Sequence, residues 1–163
     1  MPRRTTDRNA NRSVHDKALG LLARREHSAR ELKAKLAARG HDAAESAAAI
    51  ERLRESDYQS DDRFAASIAR QRVAQGYGPR RVAAELKSHG LADAAIRAVL
   101  ADLAPDWVEI AAGLLRRRVG AGARLDHEGR AREAGFLLRR GFDPATVRAV
   151  TRAEVDDPGE EVD

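Results

Sequence analysis

The chain of 163 residues contains no cysteine, which excludes disulfide staples, thiolate metal sites and thiol redox chemistry, and is compatible with a reducing cytoplasm. Long apolar runs are missing as well: no stretch approaches the roughly 20 residues that span a bilayer. The first twelve residues carry Arg3, Arg4, Arg8 and Arg12 but no apolar segment of the kind an export signal needs. The expectation is therefore a cytoplasmic protein with no membrane partner. Aromatics make up only 4% of residues, and β-branched residues are few beside alanine, leucine and arginine, so helix is the expected state throughout.

Basic residues are absent from the last ten positions, which hold Glu154, Asp156, Asp157, Glu160, Glu161 and Asp163. The formal net charge of +4 thus leaves +10 on the rest of the chain. So basic a body favours polyanionic partners, nucleic acid or an acidic protein surface, with affinity that salt weakens. A merely solvated basic face is the competing explanation.

Three stretches recur at a spacing of about 50 residues, as tandem repeats do: KLAARG ending at Gly40, ELKSHG ending at Gly90 and FLLRRG ending at Gly141. In each a leucine (Leu36, Leu86, Leu137) precedes the glycine by four positions, the pattern of a core-facing helix that ends in the left-handed conformation glycine adopts at no steric cost. Ser28 with Glu31 and Asp42 with Glu45 have the spacing of capping boxes. Gly78-Pro79 and Asp143-Pro144 read as caps followed by proline at the first helical position.

Apolar stripes at helical spacing, such as Val82 with Leu86 and Ile96, Val99, Leu100 and Leu103, give each helix one face to bury. The first helices are expected over Val14–Arg25, Asp61–Gln75 and Asp106–Val119. The resulting map has a basic, disordered leader over 1–14, three-helix repeats over 15–55, 61–104 and 105–154, and an acidic, disordered tail over 155–163. The fold class is all-α, three tandem three-helix repeats in an elongated, curved, right-handed stack in which each unit contacts mainly the next.

Catalytic signals are weak. Asp61 and Asp62 open a helix, where carboxylates meet the macrodipole favourably, so capping explains them better than a metal site with Asp57. His15, His27, His41, His89 and His127 lack the paired spacing of metal ligands. No serine sits in a nucleophile elbow, and Gly76-Tyr77-Gly78 lacks the strand context of a phosphate loop. The expectation is no enzyme, no cofactor and no metal.

Arginines cluster in every unit: Arg24 and Arg25; Arg70, Arg72, Arg80 and Arg81; Arg116, Arg117, Arg118, Arg139 and Arg140. These eleven are the candidate partner contacts. Consecutive arginines on a helix fan across about 200°, so one of Arg116 to Arg118 should flank the core. Of Tyr58, Phe64, Tyr77, Trp107, Phe136 and Phe142, most fall where a helix packs or a unit begins, leaving few rings for the base stacking typical of single-strand binders.

Three segments, ALGLLARREHSARELKAKLAARG, YQSDDRFAASIARQRVAQGYGPRRVAAELKSHG and FLLRRGFDPATV, resemble the RecX regulatory proteins over roughly Ala18 to Val150. The most specific positions are Arg25, Ser28, Glu31 and Leu32; Asp61, Asp62, Phe64 and Ala65; Gly76, Gly78, Pro79, Glu85, Leu86 and Gly90; and Arg140, Gly141 and Phe142. The resemblance implies a regulator that binds the RecA recombinase filament on DNA and lowers its ATPase, strand-exchange and co-protease activities, with a role in recombination, DNA repair and the SOS response; a monomer is expected. The chain departs from the family in its leader, its acidic tail, and His41 where the other units carry Leu91 and Phe142. The alternative is a helical protein that acts on DNA directly, as helix-turn-helix modules do.

Overall fold

In the computed structural model the described residues are 5–152, with side chains described from Val14 onward. Among them are nine helices and no strand: α1 (Thr5–Leu22), α2 (Ala29–Ala37), α3 (Ala43–Glu55), α4 (Asp61–Ala74), α5 (Pro79–Ser88), α6 (Asp93–Leu103), α7 (Trp107–Val119), α8 (His127–Arg139) and α9 (Pro144–Thr151). They group as three three-helix units, each around its own apolar cluster. Leu32, Leu36, Ile50 and Leu53 centre the first cluster, Phe64, Val82, Leu86 and Ile96 the second, and Leu115, Leu137, Phe142 and Val147 the third. The three repeat leucines, Leu36, Leu86 and Leu137, are all fully buried, each a contribution of about 1.5–3 kcal/mol.

Local signals act largely as their chemistry dictates. Ser28 Oγ accepts the Glu31 N–H at 3.0 Å; Glu31 does not return the bond, because its carboxylate binds Arg25. Asp42 and Asp143 cap α3 and α9. Gly40, Gly90 and Gly141 have φ of 81°, 86° and 90°, and the next amide in each case reaches back to the repeat leucine, as in Phe142 N–H to Leu137 O at 3.2 Å.

Two readings are corrected. The helix expected from Val14 begins at Thr5, so the segment over 1–14 read as a disordered leader is, in its described part, the start of α1. Thr5 to Ser13 has neither proline nor glycine to stop a helix and no apolar stripe to announce one. Asp61 and Asp62 stand in the first turn of α4 as expected, but the cap of that helix is Ser60, and Asp61 Oδ1 accepts the Ala29 N–H at the start of α2 instead, 2.9 Å away. The expected tail over 155–163 lies outside the described residues.

The middle helices α2, α5 and α8 meet end to end. At the start of α5 the Gly78 and Arg80 amides donate to the Arg140 and Gly141 carbonyls at the end of α8, at 2.8 and 3.0 Å. At the start of α2, Ser28 Oγ lies 3.3 Å from His89 Nδ1 at the end of α5. Gln59, buried between these units, donates to the His27 carbonyl and to Asp61. A Cβ on Gly141 would stand 2.5 Å from the Arg81 nitrogen, one on Gly90 3.5 Å from Arg30 Cδ, and one on Gly40 would meet nothing within 4 Å.

These glycines should therefore differ in their tolerance of alanine. Gly40→Ala is expected to cost only left-handed strain, about 1–2 kcal/mol. Gly141→Ala should cost more, because α8 must also withdraw from α5. Gly90→Val should lower stability by about 1 kcal/mol or more. Urea unfolding of the three variants checks the order; equal costs at Gly40 and Gly141 contradict the end-to-end junction.

Candidate functional site

The eleven candidate arginines divide by what holds them. Each unit has a clip in which an arginine near the end of its first helix binds a glutamate of its middle helix. In the first, Arg25 forks onto both Glu31 oxygens, with Nη1 to Oε2 at 3.1 Å. In the second, Arg72 donates twice to Glu85, both at 2.7 Å. In the third, Arg118 Nε donates to Glu133 Oε2 at 2.7 Å, and that glutamate side chain is only 4% exposed. Arg118 is thus the member of its triplet that flanks the core. Arg116 pairs with Glu109 within α7.

A second group surrounds two rings at the junction of units two and three. Arg81 and Arg140 stand 5.2 and 4.9 Å from the Tyr77 ring centre. Arg118 and Arg140 stand 4.5 and 5.4 Å from that of Phe136. Arg140 also donates to the Gln75 carbonyl at 2.9 Å. Both rings are half-buried against the cores of their units. Packing is their first role, and their outer faces hold guanidinium groups in place at about 0.5–1 kcal/mol each.

Arg24, Arg70, Arg117 and Arg139 are exposed and have no ion pair or hydrogen bond among the described residues. Arg117 lies back towards Gly113, beside Arg116, and Arg139 towards Gly135. Arg70 borders a groove of about 550 Å³ between α4 and α6, lined by Ala66, Ala95, Ala98 and Leu103 with Asp62 and Asp102 at its rim. Arg80 is exposed at the start of α5.

Charge and burial shift several ionisations. Hydrogen bonds from Arg72 hold the Glu85 carboxyl below its ordinary value, against the opposing effect of burial. Burial pushes His27 below the usual imidazole range; its Nδ1 sits 2.9 Å from the Arg25 carbonyl. Sequence reasoning missed Tyr77 and Phe136 as arginine supports, though the spacing of Phe136 to Arg140, four residues at the end of α8, is a helical-neighbour signal; Tyr77 precedes the Gly78 cap of α5 and offers no such signal. It also missed Glu85 and Glu133. Their partners lie 13 and 15 residues away on other helices, beyond any local pattern.

Three-helix units, each with a core of its own and joined through helix ends, define a tandem helical-repeat protein with a basic surface. The chain belongs to the RecX family. Family models described as the first and second three-helix domains of RecX match residues 15–53 and 60–100. Regulatory protein RecX of Xanthomonas campestris pv. campestris (strain B100) is 47% identical over 141 residues, covering 86% of this chain and 87% of the relative. That of Stenotrophomonas maltophilia (strain K279a) is also 47% identical over 141 residues, covering 86% of each. The crystal structure of RecX from Lactobacillus salivarius superposes with a TM-score of 0.74 at 20% identity, over 88% of this chain and 96% of that one. A second crystal structure of regulatory protein RecX gives 0.73 at 19%, over 89% and 72%. At these identities the two structures speak to fold alone.

The second clip carries a pH dependence. Glu85 has a depressed folded pKa, so its pairing stabilises fully above the ordinary carboxylate value of 4.5 and is lost as pH falls through the folded value. Arg72→Gln should cost about 1–2 kcal/mol near neutral pH and progressively less below about pH 4.5. Urea unfolding across that range checks it; a cost independent of pH would mean that Arg72 acts by packing alone.

Proposed function

We propose that this chain is a non-enzymatic regulator that binds the RecA recombinase filament on DNA and lowers its ATPase, strand-exchange and co-protease activities. Family membership supports the regulatory role, and the family resemblance of the motif residues supports RecA as the partner. The observation that carries the reading to particular residues is the division of the arginines. Arg25, Arg72 and Arg118 are spent on internal clips, while Arg70, Arg117 and Arg139 face solvent without an internal partner among the described residues. Arg80, Arg81 and Arg140 lie at the junction beside them. Contacts from such groups to carboxylates or phosphates contribute about 1.5–3 kcal/mol each before entropy, so affinity would accumulate from several modest bonds. In this reading the chain works in the cytoplasm as a monomer and needs no cofactor.

Direct action on DNA is the second reading, favoured by the same unpaired arginines, and it predicts binding to DNA alone with a steep salt dependence. Titrating RecA's DNA-dependent ATPase with the chain, beside binding of the chain to the same DNA without RecA, separates the two. Inhibition well below the DNA-binding concentration is the expected result; coincident concentrations favour DNA action. The double variant Arg117→Glu, Arg139→Glu should abolish inhibition with helicity unchanged, and retained inhibition would remove this surface from the interface. Arg118 is left intact in that test, because a glutamate there would face buried Glu133.

A further inference from the structure

Unit three has a surplus of positive charge that its own carboxylates cannot absorb. Residues 105–152 hold ten arginines against six carboxylates. Of the six, Glu109 and Glu133 bind Arg116 and Arg118, and Asp106, Asp126 and Asp143 accept amides at the starts of their own helices. Glu128 lies in the first turn of α8, where a carboxylate is held by the macrodipole. Arg117, Arg124, Arg130 and Arg139 have no ion pair or hydrogen bond among the described residues. No other unit is as basic: units one and two each have a surplus of two.

The chain continues from this unit into the residues of opposite sign. α9, packed on both α7 and α8, ends at Thr151, and the next positions bring six carboxylates with no basic residue over 154–163. Eleven residues reach about 36 Å when extended. A 13-residue helix such as α7 is about 20 Å long, so every unpaired arginine of the unit lies within reach. Covalent attachment gives such a segment an effective concentration in the millimolar range, which favours even a weak contact.

We propose that residues 154–163 bind in cis across the unpaired arginines of unit three, making this surface a receptor for an acidic peptide supplied by the chain itself. The contact is made of multiple exchanging carboxylate–guanidinium pairs and is screened by salt. Its bearing on regulation rests on the filament reading above: any acidic or phosphate-bearing partner would first have to displace the segment.

The test uses the full chain and no partner. Arginine side-chain and backbone amide NMR spectra are compared between wild type and a variant neutralised throughout the segment (Glu154→Gln, Asp156→Asn, Asp157→Asn, Glu160→Gln, Glu161→Gln, Asp163→Asn). The expected result is a shift of the Arg117 and Arg139 Nε–H resonances, unchanged by dilution. That difference should be lost when NaCl rises from about 0.05 M to about 0.5 M, where screening is nearly complete beyond a few ångströms. Differences confined to the segment and its immediate neighbours overturn the proposal, as do differences that vanish on dilution, which would mean that a second copy supplies the segment. With no RecA present, either failure leaves the filament reading standing.

Discussion

The arrangement depends on how one helix start is satisfied. An α-helix leaves its first amides and last carbonyls without partners of their own, and α5, which begins with Gly78 and Pro79, has no side chain to cap it. The carbonyls at the end of α8 accept the Gly78 and Arg80 amides instead. Two sets of orphan groups thus cancel, and the positive end of one helix dipole faces the negative end of the next. This arrangement demands close approach: a Cβ at Gly78 would stand 2.3 Å from the Phe142 amide nitrogen. It also fixes where Arg81 and Arg140 emerge, and hence the shape of the basic surface.

An arginine-rich composition does not itself make an interface. Of the clusters visible in the sequence, one member per unit is tied to a glutamate of the middle helix, and Arg116 to Glu109 of its own helix. A guanidinium so tied cannot turn outward without leaving a carboxylate unpaired, and for buried Glu133 that cost is large. Arg81 and Arg140 are steadied on aromatic rings, whereas Arg24, Arg70, Arg117 and Arg139 have no partner among the described residues. The first kind is pre-organised and loses less freedom on binding; the second gives up side-chain entropy for each contact. A surface that mixes them draws geometry from one and adaptable charge from the other.

Much of the fold was legible because glycine carries information wherever φ is positive. Gly40, Gly90 and Gly141 mark the ends of the middle helices, and the leucine four residues earlier marks the buried face. The third helices of the units end without such a mark, turning left-handed at Asp57, Ala104 and Arg152, residue types that give no glycine-like signal. The candidate site was legible only as a list of charges. Which arginine is free is decided by glutamates on other helices, and Asp61 was assigned to its own helix because cross-unit capping has no signature within one segment. Tyr77 and Phe136 were rightly placed against cores, but a ring has two faces, and sequence position says nothing of what covers the second.

The two junctions, built on one plan, differ in their chemistry. Between units one and two the start of α2 is satisfied through side chains, Asp61 Oδ1 and Ser28 Oγ accepting its amides, with Gln59 bonded to Asp61 and His89 to Ser28 beside them, next to buried His27, whose protonation is opposed by burial. Between units two and three the bonds run from backbone to backbone, and no single substitution deletes their donors or acceptors unless it introduces proline. Backbone groups also do not titrate, so that contact is insensitive to pH. The arginine and aromatic cluster straddles the second junction. Groups contributed by two units can act as one surface only if the units keep a fixed relation, and here that relation is set by bonds that do not titrate and that hold as long as Gly78 and Gly141 keep the helix ends close.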